Sequence, residues 1–205
     1  MELKQALEEL RKGKKRKFDQ TLDLIINLKG INIRKDNISL IIDIPHKFKD
    51  KKVCGFLTEK NELVKTVTKP EFPKYKDKAA LKELIDNFDF FIAHASLMPS
   101  VATTFGKALG PAGKMPSPQL GIITKETPEM INPLLERISK SIKIRAKEAS
   151  IKIAVGKENM KDEQLMENLL SVYNSIIQAL PNNIENVKNV NIKFTMGKLL
   201  GVEIK

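Results

Sequence analysis

The stretch Phe18-Asp-Gln-Thr-Leu-Asp-Leu-Ile-Ile-Asn-Leu28 decides the fold at the two ends of this 205-residue chain. With a period of two, Phe18, Leu22, Leu24, Ile26 and Leu28 share one face, and Asp19, Thr21, Asp23 and Asn27 share the opposite face. Successive side chains of a β-strand point to opposite faces. The stretch therefore predicts a strand with one buried face and one wet face.

The flanking residues predict a helix and a second strand. Leu3, Ala6, Leu7 and Leu10 recur at helical spacing, which indicates a short amphipathic helix ending near Gly13. Residues 38–44 again alternate between apolar and polar before Pro45, which is typical of a strand. We expect this strand to pair antiparallel with the first one.

The C-terminal segment has the same character. Apolar residues between Leu165 and Leu180 form one stripe of a helix that Pro181 ends. Residues 190–196 and 199–204 then predict a hairpin. Because neither end of the chain can close a core alone, we expect both ends to combine into one antiparallel α+β domain.

The middle of the chain alternates short apolar runs with helical segments. The runs Val53–Leu57, 88–93 and 151–155 are typical of parallel strands, and 79–87, 97–109 and 128–141 of helices. The predicted fold class is α/β with two domains. Residues 1–47 and 156–205 form a discontinuous, sandwich-like antiparallel α+β domain, and residues 48–155 form an inserted three-layer α/β (Rossmann-like) domain.

The charge balance points to an anionic partner. The chain carries 36 Lys and Arg against 25 Asp and Glu, for a net charge of +11, which favours nucleic acid. Six of the seven residues from Arg11 to Lys17 are positive, and Lys14, Lys15 and Arg16 form the centre of this run. Such a run suits a phosphate backbone, although a solvated basic arm is an equal alternative.

Other features bear on the cellular compartment. No apolar stretch approaches the ~20 residues that span a bilayer, and the first residues lack a signal-peptide core, so we expect a cytoplasmic protein without a membrane partner. The single cysteine, Cys54, has no partner for an intramolecular disulfide, and its apolar neighbours predict a buried strand position.

The most distinctive segment runs from Phe105 to Pro118. It contains two lysines among glycines and prolines: Gly106, Lys107, Gly110, Pro111, Gly113, Lys114 and Pro116. A phosphate-binding P-loop is disfavoured, because Met115 follows Gly113-Lys114 and Ala108 stands where the first glycine belongs. The dinucleotide glycine triplet is missing as well. We expect a rigid surface loop that presents Lys107 and Lys114.

Enzymatic chemistry finds little other support. His46 and His94 have no neighbouring ligands at metal-binding spacing, so no metal site is predicted. Ser96 and Ser100 lack the Gly-x-Ser-x-Gly setting of a hydrolase. With 5% aromatic residues and no tryptophan, a stacking platform for single strands is disfavoured. No cofactor is predicted.

Three segments together carry a resemblance to a known family. Gly106-Lys-Ala-Leu-Gly-Pro-Ala-Gly-Lys-Met-Pro-Ser-Pro118 closely resembles the signature of the ribosomal protein L-one family in its archaeal form. Lys17-Phe-Asp-Gln-Thr21 resembles the family's first strand, and Thr195-Met-Gly197 its C-terminal RNA-contact turn. Val155-Gly-Lys157 matches the return into the first domain, so the similarity runs along the whole chain.

The resemblance implies a non-enzymatic protein whose discontinuous domain grips the stalk region of large-subunit rRNA. Family members also take part in release of deacylated tRNA from the exit site, and several repress translation of their own messenger RNA. The implied RNA contacts are Lys17, Phe18, Thr21, Lys157, Thr195, Met196 and Gly197. Bacterial members have a proline where this chain has Lys198, and a longer N-terminal extension, which affects contacts at the hairpin tip.

The residues themselves bear on these implied contacts. Thr21 and Thr195 lie on wet strand faces, where hydroxyls reach ribose or phosphate. Alternation places Met196 inward, whereas the resemblance turns it toward RNA. Two rival hypotheses are a nucleotide-binding enzyme with residues 110–114 as its phosphate loop, and a basic nucleic-acid chaperone without site preference.

Overall fold

The computed structural model describes residues 1–14, 16–32, 38–146 and 148–204, without the side chains at 76 and 78. These residues divide into two compact units, Met1–Lys49 with Lys140–Lys205, and Asp50–Ser139. The helices and strands, in chain order, are α1 (Leu3–Arg11), β1 (Thr21–Leu28), β2 (Ser39–Asp43), β3 (Val53–Leu57), β4 (Lys65–Thr68), α2 (Lys78–Asn87), β5 (Phe90–His94), α3 (Met98–Ala112), β6 (Ile122–Ile123), α4 (Pro128–Lys140), β7 (Ser141–Arg145), β8 (Ser150–Lys157), α5 (Asp162–Ala179), β9 (Val187–Phe194) and β10 (Leu200–Val202).

The first unit is built on a four-stranded antiparallel sheet in the order β10-β9-β1-β8. In the central strand β1, Leu22, Leu24 and Ile26 are fully buried and their neighbours face outward, which confirms the predicted strand with one wet face. The strand begins at Thr21. Phe18 therefore lies ahead of it with 51% of its surface exposed, and its expected inward position is wrong.

Helices α1 and α5 bury their apolar stripes in the same hydrophobic core as this sheet. Leu7 of α1 and Leu165, Leu169 and Ile176 of α5 are at most 1% exposed. Each such side chain contributes roughly 1.5–3 kcal/mol when fully buried. Both helices are as predicted, as is the C-terminal hairpin of β9 and β10.

The second predicted strand has a different partner from the one expected. β2 pairs antiparallel with β7, with Ile42 opposite Ile142, in a separate two-stranded sheet. The expected pairing of β1 with β2 is wrong, because β8 and β9 occupy both edges of β1. Alternation specifies which face a strand buries and leaves its partner open.

The second unit contains a parallel sheet in the order β4-β3-β5-β6. Residues of α2 and α3 join β3 and β5 in one core, in which the ring of Phe56 contacts those of Phe72, Phe91 and Phe105. Cys54 is buried, as predicted, and burial raises the pKa of its thiol to about 12. With an antiparallel and a parallel sheet, the predicted mixed α/β fold class is confirmed.

The strand predicted at residues 151–155 belongs to the first unit. It is the middle of β8 and runs antiparallel to β1, so its assignment to the parallel sheet is wrong. Ile151, Ile153 and Val155 are buried and Lys152 is exposed, which is the alternation of a half-buried strand. The chain consequently returns to the first unit at Lys140.

No helix within the described ranges combines the length and the apolar character that a membrane crossing requires.

Candidate nucleic-acid interface

Two backbone segments of the first unit are joined at the start of β1 by the side chain of Thr195. Its Oγ1 accepts the N–H of Thr21 at 3.1 Å and donates to the Thr21 carbonyl at 3.3 Å. The Thr195 N–H also donates to the Thr21 carbonyl, at 3.0 Å. The hydroxyl is thus part of the scaffold that fixes the start of β1 against the end of β9.

Gln20 connects this pair to a third segment. Its amide nitrogen donates to Glu158 Oε2 at 3.1 Å, and its amide oxygen accepts the N–H of Met196, also at 3.1 Å. The Glu158 N–H donates to the Gln20 carbonyl at 2.8 Å. Only 5% of Gln20 is exposed. Its side chain therefore positions the segments that contain Glu158 and Met196 from inside the protein, and it does not cover their outer surfaces.

The turn after β9 presents Met196 to solvent. The Gly197 N–H donates to the Phe194 carbonyl at 2.8 Å, which closes the turn, and 59% of Met196 is exposed. The inward position that alternation predicts for Met196 is wrong. A Cβ at Gly197 would lie 3.3 Å from that of Phe194, so the close turn favours glycine.

The loop after β8 is held by Asp19. Its carboxylate accepts the N–H of Asn159 at 3.2 Å and lies 3.6 Å from the Lys157 ammonium. Lys157 is therefore partly committed to an ion pair within the protein, at a side-chain exposure of 40%. Its charge still lies beside Thr21, with which it pairs across β1 and β8.

Exposed cations flank these segments. Lys14, Arg16 and Lys17 are all exposed, and Arg16, Lys17 and Phe18 line a shallow depression of about 370 Å³ together with Asp19, Glu158 and Asn159. Lys15 lies outside the described residues. An exposed aromatic ring among cations offers a nucleic acid both a stacking surface and phosphate contacts.

A carboxylate further along β1 limits where phosphate can approach. Asp23 lies on the wet face opposite Lys193. Burial raises the pKa of Asp23, and the Lys193 charge opposes that increase. A carboxylate repels phosphate, and Asp19 and Glu158 line the depression as well, so the exposed cations Lys14, Arg16 and Lys17 are the groups there that attract an anion.

The sequence therefore brings its predicted first-unit residues to one end of a sheet. Lys17, Phe18, Thr21 and Lys157 lie at the junction of β1 and β8, and the turn containing Thr195, Met196 and Gly197 adjoins them. Gln20 was missing from the prediction. Its place next to a strand start gave no sign that its amide would be buried.

The glycine and proline segment of the second unit is mostly helical. Gly106, Lys107, Gly110 and Pro111 fall inside α3, so the predicted loop is wrong over these positions. Gly113 ends the helix in the left-handed conformation, at φ 72°, and Pro116 is buried. A P-loop is excluded here by the same geometry, because residues that would cradle phosphate belong to a helix and its end.

Lys114 is a structural residue and not the surface contact expected. Its ammonium donates to the carbonyls of Ile85 and Phe88, at 2.6 and 2.8 Å, around the C-terminal end of α2. Carbonyls in the last turn of a helix lack backbone N–H partners within the helix, so the Lys114 ammonium takes that place. Its positive charge also complements the helix dipole. Lys107 is exposed on α3 and stays available to a partner.

Within the part of the chain that the structure describes, no three His, Cys, Asp or Glu side chains lie together as metal ligands would. His94 instead bonds Ser96 Oγ at 2.7 Å through Nδ1 and the Thr124 carbonyl at 3.0 Å through Nε2. Its ring therefore has a local structural role at the end of β5.

The chain is thus a two-domain α/β protein in which a parallel α/β unit interrupts an antiparallel one, and cations and a hydrogen-bonded turn lie at one end of the antiparallel sheet. Residues 10–198 match the model of the ribosomal protein L1p/L10e family. The match covers most of the chain, and the chain belongs to this family, which confirms the resemblance drawn from its motifs.

Several archaeal relatives are similar along nearly their whole length. Each of the following is named large ribosomal subunit protein uL1. The protein of Archaeoglobus fulgidus is 30% identical over 98% of this chain and 96% of its own. That of Nanoarchaeum equitans is 33% identical over 96% and 97%, and that of Thermococcus kodakarensis 33% over 98% and 96%.

Proposed function

We propose that this chain is a structural protein of the large ribosomal subunit, located on cytoplasmic ribosomes, that binds the stalk region of the large-subunit (23S-type) rRNA. It has no catalytic activity in this proposal. The support is its family, the names of its archaeal relatives and the interface at the start of β1.

One observation carries the proposal furthest. Gln20 and Thr195 use their polar atoms to hold Thr21 and Met196 in place, so the interface is formed before any partner arrives. Met196 and Phe18 remain exposed on this rigid surface. A preformed surface loses little conformational freedom on binding, which favours recognition of a folded RNA by shape.

Two further roles follow from the same surface and from the family. An interface that reads the shape of a folded rRNA also binds a messenger that offers the same shape, so the proposal includes repression of its own operon mRNA. The second unit would contact the tRNA that leaves the exit site, and exposed Lys107 is its candidate contact.

Filter binding to a transcribed fragment of the rRNA stalk tests the rRNA proposal. Met196→Ala removes an exposed side chain without touching the core, and we expect it to weaken specific binding by roughly 1–2 kcal/mol. Ile184→Ala is the matched control, because Ile184 is 61% exposed and lies outside the interface. Equal affinity of both variants and the wild type would overturn the proposed site.

Neutralising Lys14, Arg16 and Lys17 provides a second arm of this experiment. A variant with fewer phosphate contacts releases fewer counterions when it binds RNA. The salt dependence of its affinity should therefore be weaker for every RNA tested. Met196→Ala should leave the salt slope unchanged. Indistinguishable slopes for the two variants would contradict the division between phosphate contacts and shape recognition.

A further inference from the structure

The second unit carries a cleft of about 350 Å³ at the amino-terminal edge of its parallel sheet. Val53 begins β3, Lys65 begins β4, and Phe88 precedes β5. The opposite wall comes from the last turns of α4, at Leu135, Ile138 and Ser139. The interface at the start of β1 belongs to the other unit, so this cleft shares no residue with the proposed rRNA site.

The rim of the cleft is cationic. Lys51, Lys52 and Lys65 all line it, and none of its described lining residues is acidic. The Lys51 ammonium donates to the Ile138 carbonyl at 3.0 Å and so offsets the negative end of α4. Lys52 and Lys65 are exposed, and the nearby Asp89 carboxylate accepts the Lys52 backbone N–H at 3.2 Å.

The floor of the cleft is aliphatic. Leu63 is 46% exposed, and Val64 and Leu135 also line the cleft. The Phe88 ring carries the Lys65 ammonium on its face at 5.5 Å and meets the Phe91 ring edge-on. That ring face is therefore occupied, and a stacking partner such as a nucleobase would have to displace the lysine.

The polar groups of the cleft also disfavour a buried base. A base edge presents donors and acceptors, and each needs a partner when water is excluded. The cleft offers ammonium donors, whereas its hydroxyl, Ser139 Oγ, already donates to the Glu136 carbonyl at 2.7 Å. An aliphatic side chain flanked by carboxylates satisfies both the floor and the rim.

We propose that this cleft binds an acidic peptide segment of a protein partner. A leucine-like side chain enters between Leu63 and Leu135, and carboxylates on either side pair with Lys52 and Lys65. The second unit would then recruit a protein through this cleft while the first unit holds RNA.

Fluorescence anisotropy of a labelled peptide, one leucine flanked by aspartates and glutamates, tests this with the full chain. The double variant Lys52→Glu, Lys65→Glu should weaken binding roughly tenfold, as expected when two attractive pairs become repulsive. Leu63→Ser should weaken it by a similar factor, roughly tenfold, through lost apolar contact. Lys82→Glu, at an exposed position of α2 that does not line the cleft, is the control and should bind normally.

A second peptide, in which serine replaces the leucine, should bind the wild-type protein weakly. Its affinity should equal that of the leucine peptide for the Leu63→Ser protein. Thermal unfolding of all variants checks that each one folds. Absence of peptide binding, or an equal loss in Lys82→Glu, would overturn the proposal. The proposal would also be overturned if a single-stranded RNA oligonucleotide bound the protein and its affinity fell in the Leu63→Ser variant.

Discussion

At the scale of single residues, the hydroxyl of Thr195 joins two strands. Thr195→Val keeps the shape and removes both bonds to Thr21, so we expect the free energy of unfolding to fall by roughly 1 kcal/mol. Urea denaturation measures this. Thr195→Ser is the matched control, since it keeps the oxygen.

The same pair of variants separates two explanations of RNA binding. Because the hydroxyl is already bonded to Thr21, a loss of RNA affinity in Thr195→Val would reflect displacement of the turn at Met196. Thr195→Ser should then bind RNA as the wild type does. A valine variant with unchanged stability and unchanged affinity would show that the hydroxyl has no positioning role.

Lys114 offers a second prediction at this scale. Lys114→Met keeps the apolar stem and removes two charge-assisted bonds to the end of α2, which should cost roughly 1–3 kcal/mol of stability. Lys107→Met, at an exposed position inside α3, should have no measurable effect. Equal midpoints in thermal unfolding would contradict the structural role of Lys114.

Sequence patterns predict only some of the residues that position this interface or stabilise the fold. The exposure of Phe18 was hidden because its spacing continues the period of β1, although the strand begins three residues later. Gln20 and Lys114 act through hydrogen bonds to residues far away in the sequence, and no local pattern predicts such bonds. The motif resemblance still selected residues that meet in space, such as Thr21 and Thr195.

At the scale of elements, the contact between β8 and α5 depends on Gly156. A Cβ there would lie 2.3 Å from Leu165 Cδ2 and 3.3 Å from the sulfur of Met160. Leu165 is fully buried and cannot turn away without disturbing the core. Gly156→Ala should therefore destabilise the protein by roughly 1–3 kcal/mol.

Gly106→Ala is the matched control for that substitution. Gly106 lies inside α3 and an added Cβ meets nothing within 4 Å, so alanine should stabilise the helix by roughly 0.5–1 kcal/mol. Chemical denaturation of the two variants should give changes of opposite sign. A neutral Gly156→Ala would contradict the close approach of α5 to β8.

The positions of the helices and strands were predictable from the sequence, but the pairing partners of some strands were not. The periodicity of residues 38–44 identifies β2, but its pairing with β7 depends on a segment roughly a hundred residues away in the chain, and each doubling of a loop costs only about 0.6 kcal/mol in closure entropy. Sequence separation therefore does not select among partners. Residues 151–155 resemble a doubly buried parallel strand because four of the five are apolar, whereas the exposed Lys152 marks the wet face of an alternating strand.

At the scale of the whole molecule, the crossing at Lys140 defines which part should fold alone. Residues 1–49 joined to 140–205 by a short glycine-rich linker keep β7 and β8, and the Ile44 N–H bonds the Lys140 carbonyl at 2.7 Å. We expect this shortened chain to fold and to retain most of the rRNA affinity. Circular dichroism and filter binding check both points.

The boundary expected from the sequence, at residue 156, supplies the contrast. A shortened chain of residues 1–47 and 156–205 loses β7 and nearly all of β8, so one edge of β1 would be unpaired. It should aggregate or unfold. Equal folding of both shortened chains would mean that β8 is dispensable to the first unit.

Hydrogen exchange of the full chain with and without the rRNA stalk fragment tests the central claim most directly. We expect protection of backbone amides at residues 17–21, 157–159 and 195–198, where Gln20 and Thr195 hold the interface together. Amides at 106–114 should exchange as in the free protein. Protection confined to residues 50–139, with none at 17–21 or 195–198, would contradict the assignment of RNA binding to the first unit.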